Sequence, residues 1–94
     1  MATLIAQTNL KEMMKRVPEW ESKRTAIERT LEFDDFNQAV DFVNAVAEIA
    51  DEAAHHPDID IRWNKVRLVL TTHSEGGLTE RDFQVAEKID TLEE

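Results

Sequence analysis

The segment of residues 35–54 constrains the fold most, because two adjacent apolar stripes run along it at the spacing of an α-helix. Asp35 and Gln38 resemble a capping box at its start, and Pro57 cannot continue a helix. A helix with so broad an apolar face is expected to lie on a β-sheet. The two stripes are Phe36, Val40, Val43, Ala47, Ala50 and Ala54, and Ala39, Phe42, Val46, Ile49 and Ala53.

Segments typical of β-strands flank this helix on both sides. Residues 27–33 alternate between two parities, as a half-buried strand does, and residues 21–25 form a weaker candidate partner strand. After the helix, residues 59–63 alternate in the same way. A turn near residues 64–65 would then lead into a further strand over residues 66–70. Strand pairs joined by such short turns favour antiparallel pairing.

A shorter helix is predicted at each end of the chain. Thr8 can cap the first helix, which Pro18 ends. Thr79 and Asp82 resemble a capping box for the last. The predicted order is therefore α-β-β-α-β-β-α over one domain, residues 1–94. The predicted fold class is α+β, a four-stranded antiparallel sheet with three helices packed on one face.

Composition excludes several classes of function. The 94 residues carry a net charge of −9, from 20 acidic and 11 basic side chains. Direct binding to nucleic acid is therefore not expected, because it requires a basic surface. There is no cysteine to form a disulfide or a thiolate metal site. The sequence has neither a long apolar stretch nor a signal-peptide pattern at its start, so no membrane association and a cytoplasmic location are expected.

The three histidines are the candidates for chemistry. His55 and His56 lie where the long helix stops, and His73 lies where the fourth strand stops. A hairpin of the last two strands would bring His73 back beside the other two. Asp51 lies one helical turn before His55, where its carboxylate could orient the imidazole and fix its tautomer. Three histidines with an orienting carboxylate suit a reaction that needs both an acid and a base.

Simpler interpretations stand beside this one. Either His55 or His56 alone could cap the helix or interact with its dipole, and His73 alone could be a surface residue at a strand end. Asp51 and His55 could form an ordinary helix-end ion pair. A three-histidine zinc site is a sharper alternative, but adjacent histidines do not share a helix face, and no metal is predicted. The chain could also be a non-enzymatic interaction module that binds a partner helix through the apolar side of a helix.

The order of these residues resembles the signature of the pterin-4a-carbinolamine dehydratases. The matching signature positions are Asp51, His55, His56, Pro57, Trp63, His73 and Asp82. Further matches flank them at Trp20, Phe33, Phe36, Asn64-Lys65-Val66, Thr72 and Gly76-Gly77-Leu78-Thr79. The resemblance extends over about residues 10–89, and its fold is similar to the one predicted from the residues.

The resemblance implies dehydration of a 4a-hydroxytetrahydropterin to the quinonoid dihydropterin, which recycles the cofactor of aromatic amino-acid hydroxylases. His55, oriented by Asp51, and His73 would transfer protons, and His56 would bind and polarise the substrate. Trp20 and Asp82 are candidates for substrate binding, whereas Trp63 is expected to pack because it shares the parity of the preceding isoleucines. No cofactor is implied.

The resemblance also bears on partners. A homodimer or homotetramer is expected, since the long helix has more apolar surface than one sheet face covers and family members are commonly homo-oligomers. Some animal relatives resemble bifunctional proteins that also stabilise a dimeric homeodomain transcription factor through a helical interface. A dimerisation cofactor of this type is the non-enzymatic alternative for the chain.

Overall fold

The structure, a computed structural model, describes residues 3–93 of the chain. The predicted element order is confirmed. Two 3₁₀ turns, His73–Glu75 and Thr91–Glu93, complete the chain. The elements are α1 (Gln7–Met14), β1 (Glu21–Lys23), β2 (Ala26–Glu32), α2 (Phe36–Ala53), β3 (Asp58–Arg62), β4 (Lys65–Leu70) and α3 (Glu80–Asp90).

The four strands form one antiparallel sheet in the order β1-β2-β4-β3, so β2 and β4 are central. The register pairs Ile27 with Leu70 across the centre. It pairs Asp58 with Val69 in the β3–β4 hairpin. The residues that precede β3 therefore lie beside those that follow β4, which is the neighbourhood that the histidine prediction requires.

The core fills the space between one face of the sheet and the helices. Alternate residues of β2 and β4 point into it, as the period of two demands, and α2 and α3 cover them. Burying each large aliphatic side chain contributes about 1.5–3 kcal/mol. The predicted α+β class with helices on one sheet face is confirmed. The buried core residues of these elements are Ile27, Leu31, Val66, Leu68 and Leu70 from the sheet, and Ala39, Phe42, Val46, Ala50, Phe83, Val85, Ala86 and Ile89 from the helices.

The two apolar stripes on α2 differ in burial, because the stripe that begins at Ala39 is buried or half-buried throughout and the stripe that begins at Phe36 is partly exposed. Phe42 and Val46 are buried against the sheet, whereas Phe36, from the other stripe, keeps 48% of its surface exposed. The Asp35 side chain accepts a hydrogen bond from the Gln38 N–H at 2.8 Å, which is half of the predicted capping box. The Gln38 side chain accepts from the Asp34 N–H at 3.3 Å, one residue before the position that a capping box requires. No helix among residues 3–93 is long and apolar enough to cross a membrane.

Three local predictions are wrong. Helix α1 starts at Gln7 with Ala6 at the N-cap position, so Thr8 lies inside the helix and does not cap it. The β3–β4 turn comes one residue early, at Trp63 and Asn64. Trp63 has a positive φ of 57° and is 66% exposed. A tight two-residue hairpin requires positive φ there, and this takes Trp63 out of the strand alternation that predicted packing.

Candidate active site

The turn that carries His55 and His56 is set by the end of α2. Ala54 adopts the left-handed conformation, with φ of 52°. The His55 N–H donates to the Ala50 carbonyl at 3.1 Å, and the Ala54 N–H donates to the Asp51 carbonyl at 3.2 Å, which is a Schellman arrangement. Left-handed backbone costs a non-glycine residue roughly 1–2 kcal/mol. Arg81 on α3 holds this turn by donating to the Ala54 carbonyl at 2.9 Å.

His55 is directed into the protein and pairs with a fully buried carboxylate. Its Nε2 lies 2.6 Å from Asp82 Oδ1, and the two side chains are 10% and 0% exposed. The other oxygen of Asp82 accepts hydrogen bonds from the Thr72 hydroxyl at 2.8 Å and from the Thr79 N–H at 2.9 Å. The bond to Thr79 belongs to the predicted capping box of α3, which is present.

These contacts favour one position for the proton of His55. Asp82 Oδ2 receives an N–H and an O–H. Hydrogen bonds of this kind favour the ionised carboxylate, and an ionised carboxylate has no proton to donate. With Asp82 ionised, the short contact to His55 is a hydrogen bond donated by Nε2–H of the imidazole. When the imidazole is neutral, its Nδ1 keeps a free lone pair. The arrangement can therefore present an oriented proton acceptor at Nδ1.

His56 takes the partner that was predicted for His55. Its Nε2 lies 2.8 Å from Asp51 Oδ1, with the two side chains 61% and 78% exposed. The predicted Asp51–His55 pair is wrong because the helix ends at Ala53. Ala54, which follows, is left-handed, so Asp51 and His55 no longer lie one helical turn apart on the same face. His55 instead contacts Asp82 on α3, and His56 contacts Asp51 in the last turn of α2.

His73 lies at the same end of the sheet. It directly follows Thr72, whose hydroxyl bonds to the same Asp82 carboxylate that holds His55. Its side chain is exposed at the start of a 3₁₀ turn. The segment that carries His55 and His56 therefore lies near the segment that carries His73, as the hairpin predicts. A pocket that the three imidazole rings share stays a prediction.

Trp20 is not brought to the histidines. It is 4% exposed, in the core, and its indole N–H donates to Asp90 at 2.9 Å, beside Arg29. Asp90 follows Asp82 by eight positions on α3, which corresponds to about 12 Å along a helix. The visible role of Trp20 is to join the β1 end of the sheet to the end of α3, and the geometry gives no support to substrate contact.

A cavity of about 650 Å³ lies elsewhere, between the N-terminal segment and the first turn of α3. Its lining includes Asn9, Glu80 and Arg81 and no histidine. Acid–base chemistry at neutral pH favours the histidine end of the sheet as the candidate site, in preference to this opening. Within residues 3–93, no group of three or more His, Asp or Glu side chains is arranged to hold a metal ion.

Two residues of the site were not predicted in their present roles. Thr72 was noted only as a match beside His73, and its hydroxyl is part of the buried network. Arg81 supports the turn before His55. The Thr79–Asp82 capping box was the available signal for this network, because it places a carboxylate at the start of α3 near the histidines. The sequence does not indicate that His55 contacts this carboxylate.

Comparison with known proteins identifies the family of the chain. The family model described as pterin 4 alpha carbinolamine dehydratase matches residues 3–92. A protein of Acidobacterium capsulatum, provisionally named a pterin-4-alpha-carbinolamine dehydratase, is 54% identical over 88% of this chain and 90% of its own. A relative from Picosynechococcus sp. with the same provisional name is 45% identical over 98% of this chain and 100% of its own.

Two solved structures share the fold. The Brucella melitensis protein, described as a transcriptional coactivator/pterin dehydratase, superposes with a TM-score of 0.91 at 32% identity, over 96% of this chain and 98% of its own. A pterin dehydratase-like RuBisCO assembly factor of the alpha-carboxysome has a TM-score of 0.63 at 23% identity, over 78% and 84%, and this likeness concerns the fold alone. From the match over residues 3–92 and these relatives, we conclude that the chain belongs to the pterin-4a-carbinolamine dehydratase family.

Proposed function

We propose that the chain dehydrates a 4a-hydroxytetrahydropterin to the quinonoid dihydropterin and water by histidine acid–base catalysis. The observation that carries this proposal is the buried His55–Asp82 pair, with Nε2 and Oδ1 2.6 Å apart, beside the exposed His56 and His73. In its cellular setting the reaction would recycle the pterin cofactor of aromatic amino-acid hydroxylases.

The reaction needs one proton delivered and one removed. The C4a–O bond breaks as the hydroxyl takes up a proton and leaves as water. The N5–H bond gives its electrons to a new N5=C4a double bond, and its proton goes to a base. The net change is the loss of one water molecule, so neither a redox partner nor a cofactor is required. Positioned acids and bases each contribute typically 10²–10⁴-fold to such steps.

The geometry supports a separate catalytic role for each side chain. His55 presents Nδ1 as the base for N5–H, because Asp82 occupies Nε2. His73, exposed beside the same carboxylate network, delivers the proton to the leaving hydroxyl. His56, with Asp51 on its ring, binds and polarises the substrate from the solvent side. Asp82 orients His55 from the buried side. We propose this role for Asp82 in place of the substrate binding that was predicted from the sequence.

The test is a stopped assay of 4a-carbinolamine decay with and without the protein, before and after exhaustive chelation. The His55→Ala and His73→Ala variants should each lower turnover by on the order of 10²-fold and remain folded. Activity that survives chelation would remove the zinc alternative. Full activity in both variants would overturn the assigned roles, and decay no faster than without protein would overturn the function.

We also propose that the chain is a homodimer or homotetramer. Phe36 on α2 and Ile59 and Ile61 on the edge strand β3 are 38–48% exposed, and Trp63 at the hairpin tip is 66% exposed. Exposed apolar side chains on a helix and on an edge strand favour self-association. Light scattering at micromolar concentration and moderate salt should give a multiple of the chain mass, and the mass of one chain would contradict the proposal.

A further inference from the structure

Asp82 is held on one side by a relay of two hydroxyl groups. Thr72 Oγ1 lies 2.8 Å from Asp82 Oδ2 and 2.8 Å from Thr79 Oγ1. A hydroxyl has a single proton. Because Thr72 gives its proton to the carboxylate, it must accept one from Thr79. The chain of donation therefore runs from Thr79 through Thr72 to Asp82, and its direction is fixed.

We propose that Thr72 is a positioning residue, which keeps Asp82 turned toward His55 and so maintains the His55 tautomer that leaves Nδ1 free. The proposal rests on the proposed dehydratase function for its consequence in turnover. Its structural part is the control of the His55 tautomer, which can be measured in the absence of substrate.

Burial makes this hydroxyl hard to replace. Thr72 is 3% exposed, and Thr79 and Asp82 are 0% exposed. Without the Thr72 hydroxyl, Asp82 Oδ2 keeps only the Thr79 N–H, and no bulk water reaches the vacated position without opening the network. A buried carboxylate that loses one donor is destabilised as an anion. It can compensate only by turning or by drawing the His55 proton closer, and both disturb the proton position on the imidazole.

The neighbouring threonine provides a matched control. Thr71 is half-buried, and its hydroxyl donates to the Thr25 carbonyl, away from Asp82. Thr71→Val and Thr72→Val therefore remove the same group from adjacent positions of the chain. Only the second removes a donor to Asp82. Thr72→Ser keeps the hydroxyl and loses one methyl group, so it tests whether the hydroxyl or the shape of the side chain matters.

The experiment combines turnover with imidazole ¹H–¹⁵N correlation spectra of the full chain. Thr72→Val should lower kcat about tenfold, the weight of one hydrogen bond to a charged group. In the same variant the His55 ring should lose its single Nε2–H tautomer. Thr72→Ser and Thr71→Val should keep the wild-type tautomer and most of the turnover. If Thr72→Val does not fold, Thr72→Ala at low temperature takes its place with the same expectations.

The outcomes separate the two proposals. A wild-type tautomer in Thr72→Val and Thr72→Ala would overturn the positioning role, whatever the turnover. An equal loss of turnover in Thr71→Val, Thr72→Ser and Thr72→Val would also overturn it, since the effect would then be a general loss of stability. A tautomer change in Thr72→Val, in a protein that never accelerates carbinolamine decay, would support the relay and contradict the dehydratase function.

Discussion

Two histidine–aspartate pairs lie next to each other, and they have opposite environments. His55 and Asp82 are 2.6 Å apart with side chains 10% and 0% exposed. His56 and Asp51 are 2.8 Å apart with side chains 61% and 78% exposed. The distances nearly coincide, so distance alone does not distinguish the pairs. The difference is that water can replace either partner of the exposed pair and neither partner of the buried one.

The two carboxylates also differ in their hydrogen bonds, and this determines how much each pair contributes to the fold. Asp82 receives three hydrogen bonds, one of which caps α3, so one side chain joins the site to the fold. An exposed pair is worth about 0–1 kcal/mol because solvent screens it. Adjacent positions in the sequence thus carry one imidazole that is held inside the protein and one that is exposed to solvent.

The largest difference between the pairs is expected from Asp82→Asn. The amide replaces an acceptor with a donor group that faces existing donors, so buried hydrogen bonds are lost. The free energy of unfolding should fall by about 1–3 kcal/mol. Turnover should fall by on the order of 10²-fold, as when the histidine itself is removed. Urea unfolding and the carbinolamine assay measure the two effects.

The matched change at the exposed pair is Asp51→Asn. It should alter the free energy of unfolding by less than about 1 kcal/mol and turnover by less than about fivefold. Higher salt should shrink both effects, since exposed charges are screened. Equal losses in Asp51→Asn and Asp82→Asn would mean that burial does not separate the two pairs.

The arrangement of the elements could be predicted from the sequence, but the pairing inside the site could not. The stripes of α2 and the alternation in β2 and β4 follow from which residues avoid water, which is a local property of the chain. The contact between His55 and Asp82 joins residues 27 positions apart. It depends on a left-handed alanine, which no residue preference predicts, because Ala54 is neither glycine nor asparagine.

Trp63 was mispredicted for a similar reason. Its parity matched Ile59 and Ile61, and that parity implied packing. A shift of the turn by one residue reverses such an inference, since strand side chains alternate with a period of two. The polar network was partly predictable: the capping box placed Asp82 at the start of α3, but the hydroxyl of Thr72 meets it only through the sheet register.

Glu80 lies in the same first turn of α3 as Asp82 and forms an ion pair with Arg16 that can be compared with the two histidine–aspartate pairs. Two hydrogen bonds from the Arg16 guanidinium, each 2.8 Å, hold the pKa of Glu80 below its usual range, and partial burial opposes this only in part. A lowered pKa stabilises the fold above the ordinary value of 4.5, and this stability is lost as the pH falls through the lowered pKa.

The smallest expected effect is therefore that of Glu80→Gln. Because both side chains of this pair are about a third to a half exposed, the free energy of unfolding should fall by less than about 1 kcal/mol at pH 7. The difference from wild type should vanish as the pH falls well below the ordinary pKa of a glutamate. Urea midpoints measured from pH 7 to acid test this, and a difference that grows with acid would contradict it.

The proposed roles require that Asp82 acts on the reaction through His55, whereas Asp51 and His56 do not depend on each other in this way. A double-mutant cycle in turnover tests it, with His55→Gln and Asp82→Asn in one cycle and His56→Gln and Asp51→Asn in the other. We predict that Asp82→Asn lowers turnover little further once His55 is replaced, and that the effects of the two changes in the exposed pair nearly add. If Asp82→Asn lowers turnover by the same factor with and without His55, the claim is contradicted.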